Sequence, residues 1–119
     1  MNEPAEPRTV LLIGGDLMAR ARIEGAAAAA SLKVESLTAE ALGSLDRLPE
    51  ADLVVLDLDT GGSSLIRAWA ELSGGAGPRT IGYFSHVDVE LGRQARTHGI
   101  EAWPRGRFWR TLDDIFAAV

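Results

Sequence analysis

The chain has 119 residues and 12.7 kDa, enough for one domain with one real core. Its net charge of -5 argues against nonspecific nucleic-acid binding by the fold as a whole, because neutralising phosphates needs a basic face. It has no cysteine, so disulfides, thiolate catalysis and cysteine-based zinc sites are excluded, and no apolar run approaches the ~20 residues of a membrane helix. These features fit a cytoplasmic protein.

Residues 1–7, Met1-Asn-Glu-Pro-Ala-Glu-Pro7, are acidic and proline-rich and lack the basic and apolar regions of a signal peptide. They read as a disordered N-terminal tail before a single domain over 8–119. Arg8 to Gly14 is a strand ending in glycine. Asp16 is placed to N-cap a helix over roughly Leu17 to Ser31. The spacing of Leu17, Met18, Ala21, Gly25, Ala28 and Leu32 predicts that these residues form its inward face. Lys33 to Leu37 is a short second strand, and Thr38 caps a helix of about ten residues ending near Leu48, with Pro49 as a stop.

Ala51-Asp-Leu-Val-Val-Leu-Asp57 carries the strongest signal in the chain. Four apolar residues in a row, two of them valine, read as a strand buried on both faces, as in a parallel sheet. Asp57 stands where that block ends, and Thr60-Gly61-Gly62 reads as a loop. Ser63 or Ser64 is expected to start the next helix, with Leu65, Ile66, Trp69 and Leu72 inward, and Gly74 to Pro78 is a loop. Arg79 to Phe84 is the fourth strand, followed by Ser85-His86. Asp88 caps a helix that stops at Gly99, with His98 in its last turn. Ile100 to Trp103 is a brief fifth strand and Pro104 to Arg107 a loop. The last helix carries Phe108, Leu112, Ile115, Phe116 and Val119 on one face. It ends with the chain, so the expectation is a domain with no output domain behind it.

Strands alternating with helices five times over give a parallel sheet covered on both faces. Every strand then delivers its following loop to one edge, where open α/β sheets place ligands and chemistry. That edge collects Gly14, Gly15 and Asp16; Asp57 and Asp59; Ser85 and His86; and Arg105 and Arg107. Carboxylates, a hydroxyl and guanidinium groups suit a hard cation together with a phosphoryl group. A carboxylate can itself attack phosphorus and form an acyl phosphate.

From about Arg8 to Val119 the chain resembles the receiver domain of two-component response regulators. The run ending in Asp57 is similar to the family's third strand, whose last aspartate is the phosphoacceptor. The resemblance gives Asp57 that role, and it places a metal-binding backbone carbonyl at Asp59. Ile81-Gly-Tyr-Phe-Ser85 matches the fourth strand, whose terminal Ser or Thr contacts the phosphoryl group. Gly99 to Trp103 matches the run into the fifth strand, with Trp103 at the switch-aromatic position. The implied fold is a doubly wound, flavodoxin-like (βα)5 sheet of order 2-1-3-4-5. The implied function is a non-enzymatic signalling domain of a phosphorelay, with a histidine kinase or a downstream regulator as partner.

Two departures stand against the family pattern. Receivers end the first strand with an acidic pair that binds Mg²⁺; here Gly14 and Gly15 hold those positions and only the neighbouring Asp16 is acidic. Receivers carry Lys-Pro after the fifth strand; here Pro104-Arg105-Gly106-Arg107 leaves Arg105 or Arg107 to supply the charge, with a bulkier group than lysine. A Mg²⁺ site would be weakened, with Asp16, Asp57 and Asp59 as its candidate ligands.

Each residue also has a plain structural role available. Asp57 could cap a strand or a helix, Asp16 a helix, and Ser85 could satisfy its own loop. Trp103, Phe108 and Trp109 would either pack the last helix onto the sheet or, with Arg105, Arg107 and Arg110, form an interface patch. The second functional reading is therefore a phosphorylation-independent pseudo-receiver, a binding module or homodimer using that surface. A third, a small-molecule-binding flavodoxin-like domain, rests on fold analogy alone. Gly14-Gly15 is not part of a GxGxxG, and no GK[ST] occurs.

Overall fold

A computed structural model describes residues 7–119; the expected N-terminal tail lies, Pro7 aside, outside the described residues. Five strands form one parallel sheet: β1 (Thr9–Ile13), β2 (Lys33–Leu37), β3 (Leu53–Asp57), β4 (Arg79–Phe84) and β5 (Glu101–Pro104). Their order is β2-β1-β3-β4-β5, as the resemblance implies. The helices are α1 (Leu17–Ala29), α2 (Ala39–Gly43), α3 (Leu58–Ser73), α4 (Val89–Thr97) and α5 (Arg105–Ala117).

Every residue of β3 is buried, as its unbroken apolar run requires. Alternation along the strands divides the core into two layers. Leu11, Ile13, Val54 and Leu56 meet Leu65, Ile66 and Trp69 of α3 and Leu91 of α4. Val10, Leu12, Val55 and Tyr83 meet Ile23 of α1 and Phe108, Leu112 and Phe116 of α5. Asp57, two residues beyond Val55 and opposite Tyr83 in register, belongs to the α1–α5 face.

Four elements differ from expectation. The buried face of α1 is Ala19, Ile23 and Ala27, not the predicted one; Leu17 and Met18 are 79% and 73% exposed. Alanine and glycine made several faces look equally apolar, and the single large inward side chain, Ile23, decides the rotation. α2 is five residues long and stops at Gly43, since Gly43-Ser44 disfavours helix well before Pro49.

α3 begins at Leu58, directly after β3, and not at Ser63 or Ser64. Its first turn is joined to the rest across Gly62, whose φ of 58° and ψ of -152° interrupt the helix and explain why a loop was expected there. Pro104 to Arg107 is not a loop either: Pro104 ends β5 and Arg105 starts α5. The fixed φ of proline suits the residue that feeds a helix.

Candidate functional site

The carboxyl edge of the sheet brings five predicted positions together: Gly14, Asp57, Asp59, Ser85 and Arg105. Asp57 is 4% exposed. Its Oδ1 accepts hydrogen bonds from the backbone N–H of Asp59 at 3.0 Å and of Thr60 at 3.2 Å. Asp57 is thus the N-cap of α3, satisfying two donors that the first turn leaves orphaned. Thr60 Oγ1 donates back to the Asp57 carbonyl at 3.3 Å.

Asp59 reaches sideways across the edge. Its Oδ1 accepts from the Ser85 backbone N–H at 2.7 Å, and its Oδ2 lies 3.5 Å from a guanidinium nitrogen of Arg105. The pair is partly solvated, with side-chain exposures of 21% for Asp59 and 51% for Arg105. Three elements, α3, β4 and α5, are therefore tied by one carboxylate.

Gly14 has a φ of 82°, a left-handed conformation that side chains disfavour. A Cβ there would lie 3.1 Å from Thr60 Oγ1 and 3.3 Å from the Asp57 Cβ. Asp16 Oδ1 accepts from the Ala19 N–H at 2.8 Å and caps α1, the plain role its position allowed. A cleft of about 370 Å³ beside this edge is lined by Gly14, Gly15, Asp16, Arg20, Thr38 and Thr60, among others, and Asp57 does not line it. Among the described residues, no three His, Cys, Asp or Glu side chains converge as a metal-binding group.

Tyr83 is the site residue that sequence reasoning missed. It is fully buried, and among the described residues its hydroxyl makes no hydrogen bond of good geometry, with the Asp57 carboxylate the nearby acceptor that acts on its proton. Burial pushes its phenol well above the ordinary 10.0, and the negative charge of Asp57 adds to the shift. Its ring stacks on Phe108 at 5.0 Å and tilts against Trp109 at 5.2 Å. The hydroxyl is 3.7 Å from where a Gly15 Cβ would stand, so tyrosine occupies space beside that glycine. One signal was present: a lone tyrosine two residues beyond Ile81, on the same face of a strand buried from Thr80 onward, is a polar group carried into the core.

Other residues stand apart. The Arg107 guanidinium lies 4.9 Å above the Trp103 ring, and that of Arg22 lies 4.5 Å above Trp109. Phe108 is completely buried and Trp103 and Trp109 are half-buried against the α1–α5 core, so this cluster mainly packs α5 onto the sheet. His86 and His98 are exposed.

A scan against protein-family models finds no match, and neither does a search of curated proteins. Solved structures do match. A response regulator receiver protein from Pseudoalteromonas atlantica superposes with a TM-score of 0.73 at 15% identity, over 89% of this chain and 91% of that one. The fold is the receiver fold. A response regulator from Thermotoga maritima gives 0.74 at 12% identity, over 96% of this chain and all of the other (100%). One from Colwellia psychrerythraea gives 0.72 at 18% identity, over 95% and 96%. The receiver fold is shared with these proteins at a sequence distance where side-chain roles must be argued from this chain alone. Among the described residues no helix is long and apolar enough to cross a membrane.

Proposed function

We propose that this chain is a phosphorylation-independent pseudo-receiver, a signalling-type module that works by protein contact and not by phosphotransfer at Asp57. One observation carries the reading: the Asp57 carboxylate is buried and spends Oδ1 on the two N–H groups that start α3. A nucleophilic carboxylate needs an approach for the donor and cations to offset the charge that gathers in transfer. Asp57 is 4% exposed and makes no ion pair among the described residues, and the Arg105 guanidinium at this edge is engaged by Asp59.

Mg²⁺ fits these residues poorly. It demands octahedral oxygen coordination and draws on one or two carboxylates besides water. Gly14 and Gly15 offer no side-chain oxygen, Asp16 faces the α1 N-terminus, and Asp59 is held by Ser85 and Arg105. A fully buried phenol ring stands beside Asp57 where small or acidic groups would leave room.

The contact surface is best supplied by the face around α4, β5 and α5. Val87 and Val89, before and at the start of α4, are 76% and 71% exposed, and half-buried Trp103 carries the Arg107 guanidinium on its ring. Apolar groups edged by arginine suit a protein partner, a regulator or a second copy of the chain. Trp103 and Trp109 make the proposal testable by fluorescence. Acetyl phosphate with MgCl₂ is expected to leave the emission of the parent unchanged. A change that vanishes in Asp57→Asn would restore the phosphoacceptor reading, with Ser85 and Arg105 or Arg107 holding the phosphoryl group.

A further inference from the structure

The Asp59 carboxylate is held at both oxygens by groups from two other elements, the Ser85 N–H at 2.7 Å and Arg105 at 3.5 Å. Its own backbone N–H is bonded to Asp57, so the residue cannot drift along the edge. A backbone N–H and a guanidinium are donors only, and both bind anions more strongly than neutral acceptors. Two such donors converging on one point from a strand end and a helix start form an oxyanion receptor. Here the anion is part of the chain.

Resting on the pseudo-receiver reading, we infer that Ser85 N–H and Arg105 form a latent oxyanion site that Asp59 occupies as an internal ligand. Occupancy fixes the end of β4 and the first turn of α5 in one arrangement without any modification. The ligand class the site would take, were Asp59 removed, is a small oxyanion such as inorganic phosphate. An internal carboxylate competes at the millimolar or higher effective concentration of a short tether, so dilute external anions do not displace it. The Asp57 carboxylate, bonded to the Asp59 N–H at the same edge, makes any external anion a weak, millimolar ligand.

The test is amide NMR of the parent, Asp59→Ala and Asp59→Asn, titrated with inorganic phosphate against chloride of equal ionic strength, with no phosphodonor present. In Asp59→Ala the Ser85 amide resonance is expected to move more than its strand neighbours, and phosphate is expected to return it toward its parent position, saturably. The parent should not respond, and Asp59→Ala combined with Arg105→Ala should lose the response. Asp59→Asn is close in shape and keeps the fold should the alanine variant lose it. Its neutral amide is a weaker acceptor, so hydrogen exchange at Ser85 should quicken roughly tenfold while Val54 and Val55 are unaffected. A Ser85 amide indifferent to both substitutions, or phosphate shifts alike in parent and variant, overturns the inference. A phosphoryl adduct on Asp57 would instead overturn the pseudo-receiver reading and leave this titration to decide the Asp59 contact separately.

Discussion

Tyr83→Phe is expected to stabilise the protein. The substitution deletes one buried hydroxyl that makes no hydrogen bond of good geometry among the described residues and keeps a ring that stacks on Phe108 at 5.0 Å and meets Trp109 at 5.2 Å. A buried unsatisfied polar group costs ~1–3 kcal/mol, and a neutral hydroxyl belongs at the low end. The expected gain is about 1 kcal/mol, or roughly 3–6 °C in Tm for a domain of this size. Urea and thermal unfolding of the two proteins measure it. Tyr83 is also the only tyrosine in the chain, so alkaline titration reads this group alone. Its folded pKa is raised above the ordinary 10.0, by burial first and by Asp57 second. The unfolded chain therefore releases the proton first as pH rises past 10.0, and the parent loses stability there relative to Tyr83→Phe. Below pH 10 the two curves should run parallel. A variant less stable than the parent by ~1 kcal/mol or more would refute the reasoning, because that loss is the signature of a hydroxyl that donates a hydrogen bond.

Two further substitutions test how the site is built. Asp57→Ala removes the acceptor of the Asp59 and Thr60 N–H groups and should cost about 1–2 kcal/mol in urea unfolding, whereas Asp57→Asn keeps an acceptor and should cost under ~0.5 kcal/mol; equal stability of Asp57→Ala and the parent would remove Asp57 from the role of cap. Gly14→Asp places a side chain at a φ of 82° and should destabilise by about 1–2 kcal/mol. It is also expected to gain no Mg²⁺ affinity by calorimetry, since the Cβ already crowds Thr60; micromolar Mg²⁺ binding by that variant would show that only the missing carboxylate had kept the ion out.

The sheet was legible because β3 and its neighbours announce burial on both faces through unbroken apolar runs. Asp16, Thr38 and Asp88 were legible as helix caps for the same local reason, a short acceptor side chain just before helical spacing. The face of α1 was not, because Ala26 to Ala30 gives no contrast between its sides and the exposed Leu17 and Met18 mimic an inward stripe. The start of α3 was hidden by Gly61-Gly62, which reads as a loop but houses a kink between two helical pieces. At the site, sequence placed Asp57, Asp59, Ser85 and Arg105 at one edge but not who holds whom. The Asp59 contacts join α3 to β4 and α5, and side-chain direction across three elements is a tertiary property. Arg107 went to Trp103 instead, since its place on α5 points it at that ring and not at Asp59.

The central claim is that Asp57 does not take up a phosphoryl group. Intact mass after incubation with acetyl phosphate and Mg²⁺ tests it most directly, with Asp57→Asn and an ordinary receiver domain treated in parallel. The account predicts an unchanged mass for the parent under conditions that label the ordinary receiver. A single phosphoryl adduct on the parent, absent from Asp57→Asn, would contradict it.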